Sequence, residues 1–257
     1  DSLCINPELI ESSITDKTSA ILSTHVYGYP CDTGRIQEIA EKHNLKVVYD
    51  AAHCFGEKLD RRSILDFGDI STLSFHATKL FHSAEGGAVI CRDKNVAYRV
   101  EIMKRFGHTG EDLYEDIGIN AKMSELHAAM GLCVLPHVTR NIARRKEIVE
   151  LYEGLLGNRL VRPKKPSNLT YNYGYFPVIF PSHESMLKVR QALREERINP
   201  RRYFYPSINT LPYFQFDGKV SCPVSESIAM RVLCLPLFES LSENDVSSIV
   251  RIVLEKI

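Results

Sequence analysis

The stretch Ser74-Phe75-His76-Ala77-Thr78-Lys79, which continues to Glu85-Gly86-Gly87-Ala88-Val89, decides how this chain is interpreted. Residues 70–75 form an apolar run after Gly68-Asp69, and such a run predicts a buried strand. Lysine is usually a surface residue, so the position of Lys79 just after a buried strand is unusual. Taken alone, Lys79 is most simply a structural lysine or an exposed one.

A second stretch, Val47-Val48-Tyr49-Asp50-Ala51-Ala52-His53, changes that interpretation. Residues 19–26 and 45–49 predict strands, and residues 33–43 predict a helix between them that Thr33 caps. Strand, helix and strand at this spacing are typical of a βαβ unit in a mostly parallel sheet. Ligands of such sheets bind at the carboxyl ends of the strands. Both stretches therefore point to one edge of a sheet.

The remainder of the chain predicts a second, smaller region of helices and strands. Pro163-Lys164-Lys165-Pro166-Ser167-Asn168 is typical of a connector. We expect residues 1–157 to form a large α/β domain with a long connecting helix, which Pro136 kinks or divides, and residues 158–257 to form a small α+β domain. The other expected elements are helices at residues 7–15, 94–105, 184–196 and 242–256 and strands at residues 87–91, 171–180 and 202–205.

Composition limits the classes of protein to which the chain can belong. Its 257 residues are 44% hydrophobic and 25% charged, ordinary values for a soluble globular protein. A formal net charge of +0 argues against a nucleic-acid-binding surface, and no apolar run approaches the length that spans a bilayer. The 7 cysteines include no Cys-x-x-Cys pair, which disfavours a disulfide framework or a structural zinc site and indicates a cytoplasmic location.

Asp50 and Lys79 together suggest a chemistry. Asp50 follows an apolar strand, and a buried carboxylate needs a cationic or hydrogen-bonding partner. One interpretation is a simple ion pair with Lys79. The other is a pyridoxal phosphate site, in which the lysine holds the aldehyde as a Schiff base and the aspartate keeps the pyridine nitrogen protonated. Burial and nearby positive charge lower a lysine pKa and so favour the free amine that imine formation requires.

Over essentially its whole length the chain resembles the nucleotide-sugar aminotransferases of the DegT/StrS type, which are fold-type-I pyridoxal phosphate enzymes. The resemblance rests on several ordered motifs rather than on any one of them. These motifs are Thr24-His25-Val26-Tyr27-Gly28-Tyr29-Pro30, Tyr49-Asp50-Ala51-Ala52-His53, Ser74-Phe75-His76-Ala77-Thr78-Lys79, Glu85-Gly86-Gly87-Ala88, Gly118-Ile119-Asn120-Ala121-Lys122-Met123-Ser124-Glu125 and Arg202-Tyr203-Phe204-Tyr205-Pro206. The chain opens at Asp1 without a methionine. The resemblance implies that the family's phosphate-binding turn and ring-stacking aromatic residue precede it.

The resemblance also implies a role for each matching residue. Lys79 would form the Schiff base and shuttle protons, Asp50 would pair with the pyridinium nitrogen, and Ala52 would pack on one face of the ring. Ser74 would donate its hydroxyl to the phosphate. His53 stands where the family often has glutamine, so its contact with the phenolic oxygen of the cofactor is plausible while its charge is open.

Two further sets of residues are expected to reach cofactor and substrate. The resemblance implies a homodimer with shared active sites, in which Asn120 and Lys122 contact the phosphate of the neighbouring subunit; the alternative for Lys122 is an exposed lysine at a helix start. Arginine forks match phosphate oxygens. We therefore expect Arg202, Tyr203 and Tyr205 to bind the diphosphate or the sugar of the substrate, with a plain surface cluster as the alternative.

The resemblance implies an aminotransferase that moves the amino group of L-glutamate to a nucleotide-linked keto sugar. The motifs are similar to those of the branch that acts on dTDP-4-dehydro-6-deoxy-D-glucose for O-antigen synthesis, and a 3-keto-sugar enzyme is the alternative. A sugar 3-dehydratase of this fold normally has histidine where Lys79 stands, and a non-catalytic, sensor-like homologue is disfavoured by the intact Asp50 and Lys79. A zinc hydrolase that used His53, His76 and His82 would lack any compact ligand spacing.

Overall fold

The computed structural model of the chain describes residues 2–214 and 220–257. These residues form two compact units. The first, which we call the sheet unit, contains residues 2–139 and 165–172, and the second, the C-terminal unit, contains residues 140–164 and 173–257. The division into domains at residues 157 and 158 stays a prediction.

Strands and helices alternate along the sheet unit. Its strands are β1 (Ala20–Thr24), β2 (Lys46–Asp50), β3 (Lys58–Leu59), β4 (Arg62–Ser63), β5 (Ile70–Ser74), β6 (Gly87–Cys91) and β7 (Leu169–Thr170). Its helices are α1 (Thr33–Lys42), α2 (Lys94–Met103) and α3 (Glu125–Val134). Four of the strands form one sheet in the order β1-β2-β5-β6, while β4, β3 and β7 form a smaller one.

The register of the larger sheet brings together the strand ends that precede or carry the expected site residues. Strands β1, β2 and β5 run parallel, and Asp50 at the end of β2 pairs with Thr24 on one side and Thr72 on the other. Strand β6 is antiparallel to β5 and pairs Gly87 with Ser74. The mostly parallel α/β sheet is thus confirmed, with one antiparallel strand at its edge.

One face of this sheet packs on α1. Ile36 of the helix and Val47 of β2 belong to the same buried apolar cluster, as the helical and strand periodicities of the two segments require. The cap of α1 differs from the expected one. Asp32 rather than Thr33 is the N-cap, and its carboxylate accepts a hydrogen bond from the Arg35 N–H at 3.0 Å.

The N-terminal segment is less helical than its sequence suggests. Residues 7–15 form two short 3-10 turns, Pro7–Leu9 and Glu11–Ser13, instead of one helix. Both serine hydroxyls of the second turn donate to the Leu9 carbonyl, at 2.9 and 3.2 Å. Serine hydroxyls that bond to nearby carbonyls compete with the backbone ladder of an α-helix.

The C-terminal unit is an α+β arrangement. Its elements are α4 (Val138–Leu156), β8 (Pro177–Ile179), α5 (His183–Glu195), α6 (Pro223–Arg231), β9 (Val232–Cys234) and α7 (Glu243–Lys256). β8 and β9 pair antiparallel, and α5 packs against α7. Side chains of α4, α5, α7 and both strands form one buried apolar cluster. As expected, Pro136 divides the connecting helix, because a 3-10 turn at Leu135–His137 separates α3 from α4.

Of the two strands expected in this region, one does not form and the other is shorter than predicted. Residues 202–205 form no strand, and only the preceding Arg201 makes a bridge, to Cys234; Pro206 has no N–H to donate and restricts the residue before it. The strand expected over residues 171–180 is limited to β8, because Tyr173 has a φ of 55° in the left-handed region, which interrupts an extended backbone. Helix α6 and strand β9 were not expected.

Among residues 2–214 and 220–257, no helix combines the length and the apolar character that a membrane crossing requires.

We predict that Gly87→Ala lowers the free energy of unfolding by about 1–3 kcal/mol, the usual range for overpacking. A Cβ at Gly87 would stand 2.6 Å from the backbone carbonyl oxygen of Leu73, and neither strand can yield without breaking the pairing of β5 with β6. Urea unfolding followed by circular dichroism measures the change.

Gly154→Ala in α4 is the matched control. A Cβ there meets nothing within 4 Å, so removal of a glycine from a helix interior should stabilise the protein by about 0.5–1 kcal/mol. Equal effects of the two substitutions would contradict the tight packing at Gly87.

Candidate functional site

The candidate site lies at the carboxyl ends of β2 and β5. Asp50 closes β2, half-buried, and one of its carboxylate oxygens accepts a hydrogen bond from the Ala52 N–H at 3.0 Å. Ala51 between them is fully buried and donates its N–H to the Thr72 carbonyl at 2.9 Å. The chain therefore leaves the sheet in a tight turn that holds the carboxylate at the strand end.

The loop that carries Lys79 is closed by its own backbone. The Phe75 N–H donates to the Gly86 carbonyl at 2.8 Å, and the Ser83 N–H donates to the Phe75 carbonyl at 2.9 Å. Within the loop the Lys79 N–H donates to the His76 carbonyl, also at 2.9 Å. These bonds fix both ends of residues 75–86, so that the backbone at Lys79 is held within reach of the strand ends.

Three phenylalanine rings, two of them within this loop, pack against one another. The ring of Phe81 stacks on Phe55 at a centroid distance of 4.3 Å and meets the edge of Phe75 at 4.9 Å. Aromatic pairs at such distances add to the energy of their burial. These ring contacts help to hold the polar loop in one conformation.

Lys79, Asp50 and His53 act on one another electrostatically. Burial lowers the pKa of the half-buried Lys79, and the carboxylate of Asp50 opposes part of that shift. In turn, the charge of Lys79 is the second cause, after burial, of a lowered pKa at His53. The structure therefore brings these three expected site residues together, and it favours a free amine on Lys79 more than exposure would.

His53 is neutral, which answers the question of its charge. Its ring is buried, and burial lowers its pKa to about 3. Nδ1 accepts a hydrogen bond from the Tyr27 N–H at 2.9 Å, so the neutral ring carries its proton on Nε2. Tyr27 has a φ of 57°, a conformation that bulky residues rarely adopt. His53 thus offers a hydrogen-bond donor that does not titrate near neutral pH.

Asn172 and Tyr171 hold this histidine from a distant part of the chain. The Asn172 side-chain amide donates to the carbonyls of His53 at 2.7 Å and Phe55 at 3.1 Å. The Tyr171 hydroxyl donates to the Tyr27 carbonyl at 2.9 Å. Sequence reasoning did not identify either residue, because both contacts join segments more than a hundred positions apart and no local pattern signals them.

A buried glutamate lies under the same network. Glu57 is 1% exposed, and burial raises the pKa of its carboxyl well above the ordinary value. Its Oε1 accepts the Asn172 N–H at 3.3 Å, and a Cβ added at Gly28 would stand 2.5 Å from the same atom. Burial therefore favours the neutral acid form of Glu57, which packs tightly between two segments that position His53.

His25 is a second buried histidine that the sequence did not single out. Its Nδ1 accepts the Cys31 N–H at 3.0 Å, its ring stacks on Tyr49 at 4.5 Å, and its backbone N–H donates to the Asp50 carbonyl at 3.0 Å. Burial lowers its pKa to about 4. His25 thus ties the turn after β1 to the end of β2.

The structure also places the other expected residues. Ser74 ends β5, half-buried, and its hydroxyl accepts the His76 N–H at 3.4 Å. Lys122 and Asn120 are both exposed and bond to each other at 2.9 Å, and the Lys122 ammonium lies 4.4 Å from the centre of the Phe106 ring. Their role toward a neighbouring subunit stays a prediction.

In the C-terminal unit, Arg202 lies over the ring of Tyr205 with its guanidinium carbon 3.4 Å from the ring centre. Tyr203 contacts different partners: it stacks on Phe204 at 5.2 Å and meets the edge of Tyr175 at 6.1 Å. The structure therefore brings two of the three expected substrate-binding residues into contact. Their function stays a prediction.

The donor set of the sheet unit fits pyridoxal phosphate. It contains a carboxylate for a ring nitrogen (Asp50), an amine of lowered pKa for an aldehyde (Lys79) and a neutral Nε2–H donor for a phenolic oxygen (His53). The hydroxyl of Ser74 retains a proton that it can donate to a phosphate. Among residues 2–214 and 220–257, no group of three or more His, Cys, Asp or Glu side chains is arranged to hold a metal ion.

Comparisons with known proteins agree with this chemistry. Residues 1–254 match the sequence model of the DegT/DnrJ/EryC1/StrS aminotransferase family. The chain is 40% identical over 254 residues to a dTDP-4-amino-4,6-dideoxy-D-glucose transaminase of Shigella dysenteriae, covering 96% of this chain and 68% of that protein. A protein of the same name from Escherichia coli is 37% identical over 266 residues, covering 100% of this chain and 71% of the relative.

Solved structures share the fold. The structure of DesI in the presence of its TDP-sugar product superimposes with a TM-score of 0.90 at 29% identity, covering 97% of this chain and 65% of that one. The chain thus spans about two thirds of the length of the proteins that it resembles. Aminotransferases of this family depend on pyridoxal 5′-phosphate.

We predict that Glu57→Gln changes how stability depends on pH. The folded state raises the pKa of Glu57 above its ordinary value of 4.5, so above that pH the folded protein binds a proton that the unfolded chain releases. The free energy of unfolding of the wild type should then fall as pH rises from 4.5, by at most about 1.4 kcal/mol per pH unit from this group. The Gln variant should lack that slope in urea titrations from pH 5 upward.

Glu38→Gln serves as the control, because Glu38 is an exposed glutamate that pairs with Arg35 on the surface of α1. The difference in free energy of unfolding between Glu38→Gln and the wild type should vary little with pH. If the free energies of unfolding of the Glu57 and Glu38 variants varied with pH in parallel, the raised pKa of Glu57 would be contradicted.

Proposed function

Because the chain belongs to the DegT/DnrJ/EryC1/StrS aminotransferase family, we propose that it transfers the amino group of L-glutamate to dTDP-4-dehydro-6-deoxy-D-glucose. The observation that carries the proposal is the cluster of Lys79, Asp50 and His53 at the carboxyl ends of the parallel strands. The identity to two dTDP-sugar transaminases supports the choice of sugar. Amino sugars of this kind suit the synthesis of O-antigen.

Different residues of the sheet unit would contact different parts of the cofactor. Asp50 would pair with its ring nitrogen, His53 would donate to its phenolic oxygen, and Ser74 would donate to its phosphate. Ala52, in the turn after Asp50, would pack against one ring face. When bound, pyridoxal phosphate supplies an electron-withdrawing ring that accepts the electrons released at the substrate carbon.

Lys79 would move the proton in both halves of the reaction. Burial lowers its pKa, so Nζ releases a proton more readily than the amine of an exposed lysine would. The closed backbone of residues 75–86 keeps Nζ near the strand ends, which limits the entropy lost on reaction. The neutral His53 adds no second positive charge to compete with Lys79 for the carboxylate of Asp50.

The substrate would be recognised in part by the C-terminal unit. Arg202 presents a planar guanidinium that the Tyr205 ring holds at 3.4 Å, and such a fork matches the oxygens of a diphosphate. Tyr203 would offer an aromatic face and a hydroxyl to the sugar or the base. All 7 cysteines are free thiols, which supports a reducing cytoplasm as the location.

We also propose that two copies of the protein form a homodimer that shares its active sites. An apolar surface, which we call the 113–132 surface, supports this: Ile117, Leu126, Leu132 and Ile119 are 86%, 83%, 71% and 68% exposed. Monomeric proteins rarely expose so many large apolar side chains in one region. Asn120 and Lys122 lie within the same segment, so a copy docked there would receive them near its own cofactor phosphate.

The test of the activity combines product analysis with the state of the cofactor. With glutamate and dTDP-4-dehydro-6-deoxy-D-glucose, the protein should form 2-oxoglutarate and the 4-amino sugar, identified by mass spectrometry. Lys79→Ala should reduce turnover by roughly 10²–10⁴-fold, since proton transfer by a positioned group contributes that much. It should also abolish the visible absorption band of the bound cofactor.

Lys104→Ala is the matched control, because Lys104 is a half-buried lysine that pairs with Glu101 at 2.6 Å on the surface of the protein. It should retain both the band and the activity. Borohydride reduction followed by peptide mapping should find the cofactor on Lys79 alone. A wild type that binds no pyridoxal phosphate would refute the proposal, and amination of the 3-keto isomer alone would move it to the 3-keto class.

The dimer is tested by sedimentation. Leu126→Arg should shift the wild-type dimer toward the monomer, because each copy would then bury a charge where about 1.5–3 kcal/mol of apolar burial is expected. Val224→Arg, at an apolar residue of α6 that is 73% exposed, should leave the dimer unchanged. A monomeric wild type at micromolar concentration would overturn this part of the proposal.

A further inference from the structure

Two cysteines that the proposed reaction does not use lie together in the sheet unit. Cys4 lies beside the turn that follows β1, where its Sγ is 3.2 Å from the Tyr29 carbonyl oxygen. Cys31 follows Tyr29 by two residues and is 2% exposed. Cys4 packs against the buried apolar cluster that contains Cys31, and the two thiols share a hydrogen bond. The fold therefore joins two sulfur atoms that the sequence separates.

The two sulfur atoms differ in exposure and in charge. Cys4 is half-buried, whereas Cys31 is buried. The hydrogen bond from the Cys31 thiol is the main cause of a lowered pKa at Cys4. The same hydrogen bond, followed by burial, raises the pKa of Cys31. Oxidants react with the thiolate form of cysteine. The more accessible sulfur of the pair is thus also the one on which negative charge is favoured.

A third thiol lies nearby but is held in its protonated form. Cys54 is close enough to Cys31 for its charge to affect the pKa of that residue. Burial raises the pKa of Cys54 itself, and the charge of Glu57 and a hydrogen bond to its carboxyl add to that shift. A thiol that stays protonated in an apolar environment reacts slowly. Cys4 and Cys31 are therefore the pair that an oxidant would join.

We propose that Cys4 and Cys31 form a modification site at which hydrogen peroxide creates an intrachain disulfide. In the first step the Cys4 thiolate attacks one peroxide oxygen and the O–O bond breaks. The products are a sulfenic acid on Cys4 and a hydroxide ion, which takes up a proton to form water. In the second step Cys31 Sγ attacks Cys4 Sγ, the S–O bond breaks, and the hydroxyl leaves with the Cys31 proton as water. The two thiols lose two electrons, and the peroxide gains them.

The first step makes the second step easier. While Cys4 is a thiolate, its hydrogen bond with Cys31 and its negative charge both raise the pKa of Cys31. The sulfenic acid carries no charge, so Cys31 loses its proton more readily once Cys4 is oxidised. The disulfide would fix Cys4 to a turn that supports the candidate site, because the Cys31 N–H donates to Nδ1 of His25 at 3.0 Å. In a reducing cytoplasm such a bond would be transient, as redox-sensing disulfides are.

The test is peptide mapping of the purified protein after treatment with hydrogen peroxide. Free thiols are then blocked with iodoacetamide, and trypsin digestion is carried out without a reductant. Trypsin cleaves after lysine and arginine, so it yields peptides 1–17, 18–35 and 47–58, which carry one cysteine each. The wild type should give a cross-link between peptides 1–17 and 18–35, and dithiothreitol should remove it.

Variants of the two cysteines separate the two steps. Cys4→Ser should lose the cross-link completely. Cys31→Ala should stop the reaction after the first step, so that dimedone, which labels sulfenic acids, labels Cys4. Cys222→Ser is the matched control, because Cys222 is a half-buried thiol like Cys4 but belongs to the C-terminal unit. It should form the cross-link like the wild type. Far-ultraviolet circular dichroism establishes that each variant folds.

Three results would overturn the proposal. The first is a wild type in which peroxide forms no disulfide, or joins Cys31 to Cys54 instead. The second is a Cys4→Ser variant that still links peptides 1–17 and 18–35. The third is a folded Cys31→Ala variant in which dimedone labels Cys222 as fast as Cys4. The mapping requires neither the cofactor nor the sugar, so its outcome is independent of the proposed function.

Discussion

The parallel pairing of β1, β2 and β5 is the constraint on which the rest of the site depends. Parallel strands need crossovers, and their carboxyl ends then meet at one edge of the sheet. The register sets Asp50 between Thr24 and Thr72, and the loop after β5 returns Lys79 to the same edge because its backbone closes on itself at Phe75. Two residues from separate strand ends thereby become neighbours.

Burial then sets the charge of each group at this edge. It lowers the pKa values of Lys79 and His53 and raises that of Glu57, so one physical cause moves all three groups toward their neutral forms. The hydrogen bonds decide what each neutral group can do. The Tyr27 N–H at Nδ1 makes His53 a donor through Nε2, and the Asn172 amide holds the same residue by its carbonyl. Desolvation therefore sets the charge state of these side chains, and a few hydrogen bonds to the backbone set their orientation.

The part of this arrangement that could be predicted from the sequence is the local part. Apolar runs that end in a charged residue identify the strand ends with Asp50 and Lys79, because periodicity and burial are encoded within a few residues. The neutrality of His53 could not be predicted, since it depends on the Tyr27 backbone and on Asn172. Short strands such as β9, which are buried on all sides, show no alternation that would distinguish them from the end of a helix. The missed elements are thus those that long-range packing alone creates.

The two units respond to buried charge in different ways, and the difference follows from the side chains themselves. Histidine, glutamate and lysine can give up their charge when they are desolvated, and burial shifts the pKa values of His53 and Glu57 toward their neutral forms. Arginine keeps its proton at any ordinary pH. The Nε–H groups of Arg190 and Arg202, buried and without partners among the described residues, therefore each need a hydrogen-bond acceptor while the arginine stays charged.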